Sequence, residues 1–239
     1  MKLSAQTIAS VDNLLTTLNT IGIEKVIVEP GKIRAIDEKR TVGVVTDQQV
    51  PDLEGKTLAV SRIKALKDRL NLAKAQGNVG ITATAGSGTD ISMLELAAGR
   101  SKTQFRCSAS DAVKIPKAIN DTPAYEVLIS VKQIPLIAQA DSAMATDGIT
   151  IASKDGSVVS IELVDSTKDV YTFEVEKAAS PVNGQKAGSF VFKYTSKSLL
   201  SLLREAAKTA GDDVKLKIGS GGMLFVDVAG YNFFTLPQA

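Results

Sequence analysis

Residues 57–99, TLAVSRIKALKDRLNLAKAQGNVGITATAGSGTDISMLELAAG, return at residues 188–230 as GSFVFKYTSKSLLSLLREAAKTAGDDVKLKIGSGGMLFVDVAG. A shift of about 134 positions lays Lys74 on Lys208 and Gly77 on Gly211; a shift of 133 lays Gly86-Ser87-Gly88 on Gly219-Ser220-Gly221. Both copies read strand, helix, Gly-marked stop, strand, Gly-Ser-Gly turn, strand. A repeat this long is no solenoid unit, so it predicts two homologous domains in tandem, residues 1–109 and 124–239, joined by a connecting loop at 110–123.

Outward from the repeat, the pattern continues. Ile8, Val11, Leu14, Leu15 and Leu18 recur at helical spacing and predict a first helix over 5–20, closed at Gly22. Strands are expected at 25–28, 33–36, 42–45 and 58–60, then a helix over about 62–76 with Ser61 as its N-cap and Ile63, Leu66, Leu70 and Ala73 facing inward. A hairpin over 79–96 and a strand near 102–107 close the first half. The second half predicts a strand at 125–131, a helix from Pro135 to Met144 with the proline at its first position, and strands at 149–152, 158–164 and 171–177. After a loop over 180–188 come a strand at 190–194, a fourth helix over 196–209 and three more strands. The class is α+β with antiparallel sheets. Residues 108–124, SASDAVKIPKAINDTPA, read as a linker, yet Val113, Ile115 and Ile119 are wasted on a solvated tether and predict that it lies against the body.

Composition narrows the chemistry. The 239 residues are 44% hydrophobic and 23% charged, a globular balance, with one cysteine and no histidine or tryptophan. The common zinc sites and every Ser-His or Cys-His nucleophile pair are thereby removed. The lone Cys107 and the start MKLSAQTIAS, which lacks a signal-peptide apolar run, predict a cytoplasmic protein; no apolar run is long enough to span a membrane. A carboxylate-based enzyme stays open in principle, but no spaced acidic constellation points to one. A binding protein without catalytic or metal chemistry, and without a cofactor, is expected.

Glycine-rich segments invite a phosphate-loop reading. Gly55-Lys56-Thr57 ends like a Walker A motif, but the required upstream glycine is Val50. The two Gly-Ser-Gly turns join strand to strand, with no helix N-terminus to hold a phosphate, and are expected to be hairpin turns with positive φ. Helix charge is more telling. The second helix carries Arg62, Lys64, Lys67, Arg69 and Lys74 against Asp68; the fourth carries Lys197, Arg204 and Lys208 against Glu205. The first and third have neither Lys nor Arg. Net charge is only +2, so the cations are concentrated rather than abundant. The same element of both repeats is basic and free of aromatics, which predicts a sequence-independent phosphate contact rather than base stacking. The terminal stretch Tyr231 to Pro237 concentrates aromatics in a chain with 5% of them, and could offer a partner an apolar pocket.

Three local patterns then resemble a known family. Ile33-Arg34-Ala35-Ile36-Asp37, Val113-Lys114-Ile115-Pro116 and Phe234-Thr235-Leu236-Pro237, in that order and spacing, resemble elements of the two-domain DNA sliding clamps of the proliferating cell nuclear antigen type and their T-even-like phage relatives. The resemblance covers essentially the whole chain, and its short length and MKLS start lean toward a phage-encoded version, which would work in the host cytoplasm. It implies a homotrimeric ring of six similar domains, with sheets outside and two helices per domain facing a central hole. Such a ring encircles duplex DNA without reading sequence and keeps a replicative DNA polymerase on its template, once a clamp-loader ATPase has opened it. Lys74 and Lys208 match the family's lumen lysines, and Lys64, Lys67, Lys197 and Arg204 join them by proximity. Asn13, Thr17 and Gln139 stand where the family's first and third helices carry cations.

The implied partner pocket is Ile36, Thr41, Val113, Ile115, Phe234, Leu236 and Pro237, with Thr41 a polar departure. Subunits would join by strand addition of 102–107 onto 171–177 of the next copy, with Lys102 and Arg106 facing Glu174 and Glu176. A monomer of the same fold that holds DNA by charge alone is the alternative.

Overall fold

The computed structural model describes residues 1–47, 50, 52–53, 55–113, 115, 121–154, 158–175, 180–181 and 188–238. The chain forms two compact units, Met1–Ala118 and Ile119–Ala239. Among the described residues no helix is long and apolar enough to cross a membrane.

In the first unit, α1 spans Ala5–Ile21 and buries Ile8, Val11, Leu14, Leu15, Leu18 and Ile21. Ser4 caps it by accepting from the Thr7 amide, and the Asp52 carboxylate accepts from both the Ser4 amide (2.7 Å) and the Thr7 hydroxyl (2.8 Å). Strands β1 (Lys25–Glu29), β2 (Lys32–Ile36), β3 (Val42–Thr46) and β4 (Leu58–Val60) follow, neighbouring in the order β3-β2-β1-β4. Helix α2 (Ile63–Lys74) buries Ile63, Leu66, Leu70 and Ala73, the four residues that its periodicity selects. Strands β5 (Gly80–Ala85), β6 (Ile91–Ala98) and β7 (Ser101–Arg106) make a second antiparallel sheet in that order. Met1–Leu3 runs along β5, with the Ala83 amide donating to Met1 and the Leu3 amide to Ile81. Three residues carry no readable period, so the sequence does not announce this added edge.

One of two local expectations is corrected here. Ser61 does not cap α2; its hydroxyl is 2.6 Å from that of Ser108, and Arg62 occupies the cap position without a side-chain hydrogen bond. The segment after β7 forms a short 3-10 turn at Ser110–Ala112, and Val113 is buried against Ile27 and Ala59 with Ile115 packed beside them. The start of the connecting segment does lie on the body of its unit.

The second unit repeats the plan with two further strands among the described residues. It contains β8 (Pro123–Ser130), α3 (Gln133–Met144), β9 (Gly148–Ser153), β10 (Val159–Val164), β11 (Val170–Val175), β12 (Ser180–Pro181), β13 (Phe190–Thr195), α4 (Ser196–Ala207), β14 (Asp213–Gly219), β15 (Leu224–Val228) and β16 (Tyr231–Thr235). Its antiparallel sheets run β12-β8-β14-β15-β16 and β11-β10-β9-β13. Helix α4 packs on strands of both sheets, and so does α3. Pro135 is the third residue of α3 rather than the first; its missing N–H costs nothing there, because the first turn has no intrahelical acceptors to lose.

Of the two repeated turns, the second differs from expectation. Gly88 has φ +61°, but in the second copy the positive φ belongs to Gly222 (+85°), one residue beyond Gly219-Ser220-Gly221. Asp121 explains the change. Its carboxylate accepts from the Gly221 amide (3.2 Å), the Met223 amide (2.9 Å) and the Ser220 hydroxyl (3.4 Å). The buried Tyr194 hydroxyl donates to the Gly222 carbonyl at 2.8 Å from the other sheet.

One charged residue lies on the buried side of α1. Asp12 is 8% exposed, and its two oxygens accept from Lys67 (2.5 Å) and Lys74 of α2. Burial pushes the Asp12 carboxyl up, but the hydrogen bonds and charges of Lys67 and Lys74 outweigh it and hold the group below its ordinary 3.8. A depressed folded pKa means that the stabilisation is complete above the unfolded value and is lost as pH falls through the folded one.

Urea unfolding followed from about pH 6 to about pH 3 should therefore lose stability at the acid end, and Asp12→Asn should lack part of that loss. An identical acid limb in both proteins would remove the triad as its source. A second expectation concerns the turn. A Cβ added at Gly219 would sit 2.2 Å from the Asp121 carboxylate, so Gly219→Ala should cost on the order of 1–3 kcal/mol in thermal unfolding.

Candidate nucleic-acid and partner interfaces

Helices α1 and α2 pack side by side in the first unit, as do α3 and α4 in the second. Each buries one stripe, so phase alone decides which side chains meet solvent. On α2, Lys64 is exposed. The Lys67 side chain is only 15% exposed and faces Asp12; Lys74 reaches the same carboxylate while staying 45% exposed. Arg62 and Arg69 lie over the Phe105 ring at 5.2 and 5.4 Å, which directs them toward β7. On α4, Lys197 and Arg204 are exposed, and Lys208 pairs with Glu205 at 2.6 Å.

Of the six cations expected to meet phosphate, Lys64, Lys197 and Arg204 have no carboxylate partner among the described residues. Lys67, Lys74 and Lys208 each have one. Sequence reasoning missed Asp12. The signal was present: an ionised residue among Ile8, Val11 and Leu15 needs a counter-charge. On the neighbouring helices Asn13 and Gln139 are exposed and Thr17 is buried.

The expected partner-pocket residues are placed within their own units. In the first, Ile36 and Val113 are buried, and Ile115 is partly exposed. Thr41 is held by Asp37, which accepts from its amide (2.6 Å) and hydroxyl (2.9 Å) and from the Val42 amide. Lys114 and Pro116 lie outside the described residues. In the second unit Phe234 is buried on β16, while Leu236 and Pro237 are partly exposed. The tail is fixed by the Gln238 amide donating to Lys193 (2.7 Å) and its side chain to Asp147 (3.2 Å).

Strands β7 and β11 are each the last of their sheets. Lys102 and Arg106 on β7 are exposed, as is Glu174 on β11; Glu176 lies outside the described residues. Lys102 contacts Glu95 of its own sheet at 3.3 Å, a solvated pair that is easily exchanged. The Glu174 carbonyl accepts from the Gln133 side chain at 3.2 Å. Beside these charges, β11 exposes Val170 (57%) and Tyr171 (49%), apolar surface that sequence reasoning did not single out.

Among the described residues no group of His, Cys, Asp and Glu side chains is placed to hold a metal ion. Burial pushes the Cys107 thiol up to about 12, which denies it a thiolate at neutral pH. The Gly-Ser-Gly turn of the second unit is occupied by the protein's own carboxylate, Asp121.

No protein-family model and no curated protein matches the sequence. Solved structures do match, over the full chain. One describes the C-terminal region of FEN-1 bound to A. fulgidus PCNA, with 14% identity and a TM-score of 0.66, covering 100% of this chain and 98% of that one. A PCNA2–PCNA3 complex from Sulfolobus tokodaii matches at 15% identity and TM-score 0.64, covering 100% and 99%. Proliferating cellular nuclear antigen from Entamoeba histolytica matches at 12% and 0.64, covering 100% and 98%. Two tandem α+β units with antiparallel sheets and two α-helices apiece among the described residues thus give this chain the fold of the PCNA-type sliding clamps.

Proposed function

We propose that the chain is a sliding clamp: three copies close around duplex DNA without reading sequence and hold a replicative polymerase on its template. The observation that carries this reading is the likeness to clamps over 100% of this chain and 98% and 99% of theirs. The clamp works without catalytic chemistry, and a loader ATPase opens it for DNA. Exposed Lys64, Lys197 and Arg204 on equivalent helices supply phosphate contacts, with Lys67, Lys74 and Lys208 adding what their carboxylates leave free.

Self-association has support in the open edges. Strand addition of β7 of one copy to β11 of the next would satisfy unpaired backbone groups, cover Val170 and Tyr171, and bring Lys102 and Arg106 toward Glu174 and Glu176. Among the solved relatives, one structure holds two clamp proteins together. Client binding is supported by another, in which a clamp holds the C-terminal region of FEN-1. In this chain Ile36, Thr41, Val113 and Ile115 of the first unit and Phe234, Leu236 and Pro237 of the second are the residues proposed to receive such segments.

Charge alone is a poor substitute for closure here. Three of the six candidate cations are already paired with carboxylates, which weighs against a monomer that grips DNA electrostatically.

Light scattering over a dilution series should give the mass of three chains, and Arg106→Glu should shift it toward one. A wild-type mass of one chain at every concentration would defeat the ring. Once loaded, the protein should stay on nicked circular DNA above roughly 0.5 M salt and leave when the circle is cut, because the attraction that salt screens is not what retains it. Equal loss from circle and line would favour the charge-held monomer.

A further inference from the structure

We propose that Asp12 is a built-in counter-ion that keeps Lys67 and Lys74 from DNA phosphates, so that Lys64 is the principal phosphate contact of the α1–α2 pair. The inference rests on the DNA reading above and names the residue that sets the strength of the contact.

The geometry is specific. Asp12 lies on α1, Lys67 and Lys74 on α2, and each ammonium takes a separate carboxylate oxygen. The Asp12 and Lys67 side chains are 12% and 15% exposed. A phosphate competing for Lys67 must draw it from a charged acceptor already at hydrogen-bond distance in a partly desolvated place, where charge pairs are strongest. The three residues together present one net positive charge instead of two.

The second unit has a weaker counterpart. Among the described residues Glu205 pairs with one cation, Lys208 at the C-terminal cap of its own helix, and leaves Lys197 and Arg204 exposed. A protein that must slide along DNA needs phosphate contacts that release easily, and each cation held by a carboxylate displaces no counter-ion from the duplex.

Asp12→Asn keeps the shape and one acceptor oxygen but removes the charge. Two ammonium groups then surround a neutral amide, and the half-exposed Lys74 is free to turn outward. Binding to a short linear duplex, followed by fluorescence anisotropy in a salt series, should tighten at low salt. Its log K against log salt slope should steepen by roughly 0.9 for each cation released. Lys64→Ala should make the slope shallower. An Asp12→Asn slope equal to or shallower than wild type, alongside a shallower Lys64→Ala, overturns the counter-ion role and leaves the DNA reading standing. Absence of binding by all three proteins overturns the DNA reading and this inference with it.

An acylation footprint of the wild-type lysines needs no variant to fold. Lys64 should react and be shielded by added duplex, while Lys67 should be poorly reactive with or without DNA. A Lys67 that reacts freely and is protected by duplex overturns the proposal.

Discussion

Every helix in this protein has one apolar stripe to remove from water, and that requirement fixes what its remaining surface can do. On α1 the stripe includes Leu14, Leu15 and Leu18; on α4 it includes Leu199, Leu202 and Leu203, all at most 2% exposed. At about 1.5–3 kcal/mol per buried large side chain, the stripes outweigh any single surface charge in setting helix rotation. Lys64, Lys197 and Arg204 are exposed because the stripe turns them outward. Asp12 lies inward for the same reason, and only the two lysines of α2 make that tolerable.

How much was legible follows from what kind of information each feature carries. Periodic burial is local, so the buried residues of α2 and most strand limits can be read from the sequence to within a residue or two. Long-range polar partnership is not local. Asp12 meets its lysines across separations of 55 and 62 residues, and Asp121 meets Met223 across 102. No window of sequence contains either pair. Ser61 fails as a cap for a related reason: Ser108 offers its hydroxyl another partner at 2.6 Å, and a propensity cannot foresee a competitor from another segment.

The candidate surfaces divide in the same way. Basic residues on the same element of both repeats were visible, but which of them are already paired was not. The edge strands 102–107 and 171–177 were singled out only through the family resemblance. The exposure of Val170 and Tyr171 was not visible, since both look like ordinary strand residues until the neighbours are known. Thr41 reads as a polar intrusion into an apolar set, and the structure gives it local employment in the turn held by Asp37.

Charge and edges point to the same division of labour. Three cations free of carboxylates among the described residues would release about three counter-ions, so a single chain held by them would lose affinity steeply as salt rises. The outer edges of β7 and β11, without a strand partner among the described residues, and the apolar side chains exposed on β11 are a liability in an isolated chain and an asset in an assembly. On the proposed reading, a protein with spare bonding capacity in its strand edges, and with half of its six candidate DNA-facing cations committed to internal carboxylates, would be held by its own closure more than by the polymer it encloses. In the proposed ring that balance would suit motion along DNA: closure would resist escape in every direction except along the duplex, and weak phosphate contacts would leave that direction open.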